Sequence, residues 1–446
     1  MKRILTATAL SLATTGTLHA QPGISTSRPA IRPIGAVAAT SAEPLGLVNN
    51  IRALPGGKLL VNDMSGRRVL LMDSTFTVLK VVADTTPGNP NSYGGGVASL
   101  IAFRGDSTLF VDAQSLSMLV IDTNGEVVRV MSVPRAQDAM MLAAGGIGAG
   151  AFYSSGHLVY RGMPNIRMNV VNGVPQMGAL PDTMPITRVN LQTRVVDTVG
   201  FVKIPISLPN ISRTEDGKMS VTIEVNPLPV VDEWAVTPNG DVAFVRGRDY
   251  HVDWVEANGT RRSSPKMAFD WKRLTDEDKT RLADSVKTLL DKQAAANPGQ
   301  GAAMATAFGS MMGGGAAAGA PRMQVMIRAE GGPPGAGGPT RAPQVTAPKI
   351  NVVSPSQLPD YQPPFFATST RADADGNLWV LTIPTKPQPA GSVYDVINGK
   401  GDVTERVLIP EGRTVLGFGP GGVVYLAKRV TEGTTTTTTI ERARVK

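Results

Sequence analysis

The chain has 446 residues, a formal net charge of +8, no cysteine, 48 glycines and 34 prolines. The lack of cysteine excludes disulfide staples, thiolate metal centres, a cysteine nucleophile and a lipoprotein anchor on cysteine. With 42% hydrophobic and 18% charged residues the composition is globular, and the length suffices for a sizeable core.

Met1-Lys2-Arg3 is a positive segment, Ile4 to Ala13 is apolar, and Leu18-His19-Ala20 ends in a small-residue cleavage site. This pattern predicts a secretory signal peptide over 1–20 and a periplasmic or secreted mature chain. The apolar run falls well short of the roughly 20 residues that span a bilayer, so no membrane span is expected. Basic residues are scattered among 36 acids, which argues against nucleic acid as a partner.

A glycine-bearing turn followed by an apolar strand then recurs six times. The turns centre on Gly56-Gly57, Gly105-Asp106, Ser155-Gly156, Asn239-Gly240, Asp375-Gly376 and Gly421-Gly422. Glycine supplies the positive φ that a tight hairpin requires. Further strands follow each early hairpin, at Thr77 to Val82 and Val127 to Met131. Four antiparallel strands in a unit of about 45 residues, repeated radially, is the arithmetic of a propeller blade. The expected fold is all-β: a single six-bladed β-propeller over 21–446.

The spacing breaks between Gly240 and Gly376, where an insertion is placed between blades four and five over 260–365. Apolar residues Leu282, Val286, Leu289 and Leu290 predict a helix over 270–293, with Thr275 as N-cap and Asp278 completing the box. Beyond it, 22 of the 40 residues from Gly299 to Gly338 are Gly or Ala, so 297–349 reads as a disordered low-complexity loop. Gly145 to Gly150 is glycine-rich but lacks the Lys-Ser/Thr and helix of a phosphate loop.

Val61-Asn62-Asp63-Met64-Ser65-Gly66-Arg67-Arg68-Val69-Leu70-Leu71-Met72-Asp73 resembles the NHL repeat, with its Asp, an Arg five residues on, and a closing Asp. The other copies are degenerate, with Ser117 at the Arg position of the second and Arg246 at the first Asp of the fourth. The chain is similar to exported bacterial six-bladed propellers of the NHL/TolB-like superfamily over about residues 30–446. That resemblance implies ring closure by an N-terminal strand such as Ile31 to Val37. It also implies that an enzymatic member would hold a divalent metal in the tunnel, for which Asn49, Asn50, Asp232 and Glu233 are the candidates. Zinc lyase relatives need more histidines than the two, His157 and His251, that remain beyond the signal segment.

The remaining signals are local. Arg371 to Gly376 has Arg at the first position of a calcium loop, which favours a plain Asp-Gly turn. Ser154, Ser155 and His157 alternate across a hairpin and lack an oxyanion signal. The densest cluster is Glu233, Trp234, Arg246, Arg248, Tyr250 and His251, where aromatic and Arg side chains together make a candidate ligand platform. A purely structural reading packs Trp234 and Trp254 between blades and pairs Arg246 with Glu233 or Asp253. Two functions are carried forward: a non-catalytic binding or protein-interaction module of the cell envelope, monomeric and without cofactor, and a metal-assisted lactonase-like hydrolase.

Overall fold

The computed structural model describes residues 28–95, 98–143, 152–162, 168–171, 174–177, 181–205, 209–213, 219–296, 349–386, 388–433 and 435–445. The signal segment, the 145–150 glycine run and residues 297–348 of the low-complexity stretch lie outside them.

The chain opens with two short strands, β1 (Ile31–Pro33) and β2 (Ala39–Thr40). Blade one is β3 (Val48–Ala53), β4 (Leu59–Asp63), β5 (Arg68–Met72) and β6 (Val78–Asp84). Blade two is β7 (Ala98–Ala102), β8 (Thr108–Asp112), β9 (Ser117–Ile121) and β10 (Val127–Ser132), followed by α1 (Ala139–Ala143). Blade three takes β11 (Phe152–Ser154) and β12 (His157–Arg161) and, after the hairpin β13 (Met168–Val171) and β14 (Val174–Met177), β15 (Thr183–Asn190) and β16 (Val196–Lys203). A second hairpin, β17 (Pro209–Arg213) and β18 (Met219–Val225), precedes blade four, which is β19 (Asp232–Val236), β20 (Val242–Arg246), β21 (His251–Val255) and β22 (Arg261–Ser263). Next come α2 (Asp276–Ala296) and β23 (Lys349–Val352). Blade five is β24 (Phe365–Ala372), β25 (Leu378–Thr382), β26 (Gly391–Ile397) and β27 (Val403–Pro410), and blade six is β28 (Arg413–Gly419), β29 (Val423–Glu432) and β30 (Thr435–Arg444).

Each blade is an antiparallel meander, so the protein is a six-bladed β-propeller. Its core is divided into six apolar wedges, one in every gap between neighbouring blades. The second and third strands are buried on both faces, which is why Leu59–Asp63 and Thr108–Asp112 read as nearly continuous apolar runs. Asp63 shows the repeat's logic: it accepts the Gly66 N–H at 2.9 Å and the Arg68 Nε at 3.1 Å, tying second strand to third.

The ring is closed from the N-terminus, but in a different register from that expected. Ile31–Pro33 runs parallel to β27 on the outer edge of blade five, and Ala39–Thr40 completes blade six against β30. Gly35, Ala38, Ser41 and Leu45 all donate backbone N–H groups to β30 carbonyls. One arm thus covers two edges that would otherwise stay unpaired.

The helix starts at Asp276, six residues later than the apolar pattern places it. Thr275 forms the predicted box with Asp278, each accepting the other's backbone N–H, so the preceding residues stay outside the helix. Leu289 is exposed, whereas Ala283 and Lys279 are buried. Lys349 belongs to β23, paired in parallel with β18, so 349 is not part of the loop.

Candidate functional site

Antiparallel meanders put the two kinds of connection at opposite ends of the ring. First-to-second and third-to-fourth turns lie at one end and are short, like Asp73 to Thr77 and Asp373 to Asn377, each closed by an Asp that accepts backbone N–H groups. Second-to-third and blade-to-blade connections lie at the other. That end carries α1, β13–β14, the β17–β18–β23 sheet and α2, every long insertion among the described residues.

The clustered candidates all sit on or beside blade four, but on both of its faces. Period-two alternation along β19 turns Asp232 and Trp234 towards blade three and Glu233 towards blade five. Trp234 is buried, its ring edge-on to Phe152 at 5.5 Å. Arg246 reaches Asp232 and Asp253, both at 2.8 Å, donates to the Phe201 carbonyl and lies over the Phe244 ring. It therefore pairs with Asp253, as one reading allows, and with Asp232 in place of Glu233. His251 continues the chain of charges, with Nδ1 2.7 Å from Asp249 and Nε2 3.2 Å from Asp253. Burial works against charge on Asp253, but Ser263, Arg246 and His251 outweigh it and hold the carboxyl below its ordinary value. Arg248 is exposed and makes no side-chain hydrogen bond to the described residues.

On the opposite face Tyr250 is fully buried and donates its hydroxyl to Asp395 at 3.0 Å. Glu233 is buried as well, and no basic side chain lies within ion-pairing distance among the described residues. Its carboxylate accepts the backbone N–H groups of Thr368 at 2.8 Å and Thr370 at 3.3 Å, across the blade boundary. The register of β24 slips between Phe365 and Thr370, and Thr368 has a φ of +68°, which turns these N–H groups towards Glu233. Burial pushes the Glu233 carboxyl up to about 7, against the N–H bonds and the more distant Arg161, which favour its charge.

The structure does not gather the metal candidates. Asp232 is taken by Arg246 and by the N–H groups of Lys203 and Gly247. Glu233 faces the other gap, and Asn50, in blade one, donates to the Leu100 carbonyl at 3.1 Å. The Asn49 side chain lies outside the described residues. Among the described residues no group of three or more His, Asp or Glu side chains is placed to hold a metal ion. The expected turn at Asp373 is formed, with its carboxylate accepting from Asp375, Asn377 and the Trp379 indole.

Sequence reading missed the group around Arg28. Its guanidinium grips Asp395 and lies 4.8 Å over the Phe269 ring, which stacks edge-on with Tyr250 and Trp271. Trp271 and Tyr361 are 39% and 49% exposed, beside the backbone bridge of Arg273 to Tyr361 at the base of α2. No local signal marks these residues, because their contacts join segments far apart in the chain.

No protein-family model matches the chain, and no curated protein does. Among solved structures it is similar to a catalytically inactive virginiamycin B lyase from Staphylococcus aureus with quinupristin, at 10% identity over 91% of this chain and 99% of that one, TM-score 0.33. It is also similar to regucalcin, a calcium-binding protein from Agrobacterium tumefaciens, at 9% identity over 93% and 98%, TM-score 0.30. A member of the DUF4221 family from Bacteroides vulgatus matches at 9% over 93% and 96%, TM-score 0.39. Among the described residues no helix is long and apolar enough to cross a membrane.

Proposed function

We propose that this is an exported, non-catalytic binding or protein-interaction module of the cell envelope, whose partner approaches the insertion-bearing end of the ring. The observation that carries the reading is the asymmetry of the two ends. Insertions separated by more than a hundred residues meet there, with β18 pairing β23 and α2 packing on the same segment. Loops that enlarge one end of a rigid scaffold are where binding surfaces are commonly built. Arg246, Asp232, Asp253, His251 and Asp249 of blade four, by contrast, are engaged with one another, which suits a scaffold better than a reaction centre.

The test is chemical crosslinking in intact envelopes, read by mass spectrometry. Partner crosslinks are expected on Lys272, Lys287, Lys292 and Lys349 and not on the short-turn residues Lys58 and Lys400. Crosslinks confined to the short-turn end, or metal-dependent hydrolysis of lactones by the purified protein, would overturn it.

A further inference from the structure

The first strands of neighbouring blades touch around the ring, β19 with β24, β28 with β3, β3 with β7 and β7 with β11, so they line its axis. Blades five and six set two arginines against this inner wall. Arg371 leaves β24 and donates from Nη1 to the Leu416 carbonyl of β28 at 3.0 Å. Arg429 leaves β29 and donates to the Thr414 hydroxyl of β28 at 3.4 Å and to the Val48 carbonyl, at the start of β3, at 3.1 Å. Both guanidiniums are thus held on one strand at positions two residues apart, which a rise of about 3.3 Å per residue separates by roughly 7 Å.

Neither group meets a carboxylate among the described residues, whereas Arg246, Arg406 and Arg413 of blades four, five and six each hold one. Arg371 is half-buried, and Arg429 and Thr414 are exposed. Beyond its Nη1 bond, Arg371 keeps Nε and Nη2 without an acceptor, and neither atom is sealed from solvent. Burial draws the Arg371 guanidinium below its ordinary value, and the Arg429 charge pulls the same way. Charge that is partly desolvated and uncompensated is costly, so a counter-charge is favoured there. The Thr414 oxygen accepts from Arg429, which leaves its O–H free to donate.

A metal or ammonium ion is repelled by such a pair, and a neutral sugar leaves both charges uncompensated. Guanidinium groups pair best with carboxylates and phosphates, whose oxygens take two N–H groups at once. We infer that the axial face of blade six holds a small oxyanion, a carboxylate or a phosphate, between Arg371 and Arg429, with the Thr414 hydroxyl as a further donor. The site does not rest on what binds the insertion-bearing end.

The test is isothermal titration calorimetry of the purified protein at fixed ionic strength with sodium phosphate, sodium succinate and sodium chloride. Saturable one-to-one binding of phosphate or succinate is expected and none of chloride, and the tighter of the two tells a phosphate site from a carboxylate site. R429Q changes an exposed side chain and should weaken binding about tenfold or more, as loss of hydrogen bonds to a charged group does. R371Q should abolish it. R129Q removes the same charge from the exposed outer strand of blade two and should bind as the parent does. If R371Q does not fold, the comparison of R429Q with R129Q still decides. No saturable binding of either oxyanion, equal binding of chloride, or the same affinity in R429Q and R129Q overturns the proposal.

Discussion

Arg28 and Asp395 are 367 residues apart in sequence and form an ion pair in which Nη2 of Arg28 meets both carboxylate oxygens, at 2.8 and 2.9 Å, with the carboxylate wholly buried. Asp395 also accepts from Tyr250 and Arg406, and Arg28 reaches Asp270 at 3.3 Å. The pair fixes the start of the arm whose following residues cover blades five and six, so a single side chain anchors ring closure.

Removing one partner of a buried ion pair costs about 3–5 kcal/mol. Arg406 and Tyr250 remain with Asp395 in R28A, so a loss of about 2–3 kcal/mol is expected in urea unfolding. The R28A/D395N double mutant should cost clearly less than the sum of the two singles, because the pair acts as a unit. Additive effects, or an R28A protein as stable as the parent, would show that the arm is held by its backbone bonds alone.

The Glu233 carboxyl makes stability depend on pH with a definite sign. Its folded value, about 7, lies above the ordinary 4.5, so the folded state holds the proton more tightly than the unfolded chain. Stability from this group is full below the unfolded value, falls as pH rises through the window from 4.5 to about 7, and is flat above it. At about 1.4 kcal/mol per unit the swing is on the order of 3 kcal/mol. E233Q keeps an acceptor for the Thr368 N–H and removes the titration. Urea midpoints from pH 5 to 8 should therefore show the parent losing stability relative to E233Q and levelling off above pH 7. Parallel curves for the two proteins would sink this assignment.

Local chemistry made much of the fold legible. The six hairpin glycines, the Asp63 and Arg68 pair, and the Thr275 box each act within a few residues, where a sequence pattern and its physical cause coincide. Ring closure was legible in kind, since a blade short of a strand needs one, but its register was not. Whether Ile31 or Ala39 meets β30 depends on where Arg28 is anchored, and Asp395 gives no hint of that from its own neighbours. The same holds for Glu233, whose carboxyl is pushed up by burial between two blades and only partly brought back by the N–H groups of a bulge in the next blade. Its proximity to Arg246 in sequence suggested a common site, yet the period of two along β19 and the opposite facing of Asp232 separate them.

Metal removal offers a direct check on the tunnel. Asp232 is held by Arg246, Asn50 stands in blade one with its amide nitrogen on the Leu100 carbonyl and its Oδ1 unpaired, and Glu233 is turned away from Asp232, so the candidates do not converge. Dialysis against EDTA is therefore expected to leave the thermal midpoint unchanged, with divalent metal well below one per chain by mass spectrometry. A stoichiometric ion whose removal lowers the midpoint would restore the hydrolase reading.

Two turn glycines separate backbone strain from packing between blades. Gly240 and Gly376 occupy equivalent hairpins, with φ of +93° and +90°. A Cβ on Gly376 would meet nothing within 4 Å, whereas one on Gly240 would stand 2.2 Å from the Ser154 Oγ of blade three. G376A should thus cost only the left-handed backbone term, about 1–2 kcal/mol. G240A should cost more, because the Ser154 hydroxyl must turn away and the Ser154 Cβ still stands at 3.4 Å. Replacing that hydroxyl in G240A/S154A should recover part of the difference, while S154A should leave G376A unaffected. Equal losses in G240A and G376A by urea unfolding would mean that blades three and four separate easily at this end. A larger loss in G240A, partly restored by S154A, would show that the turns brace neighbouring blades as well as reverse the chain.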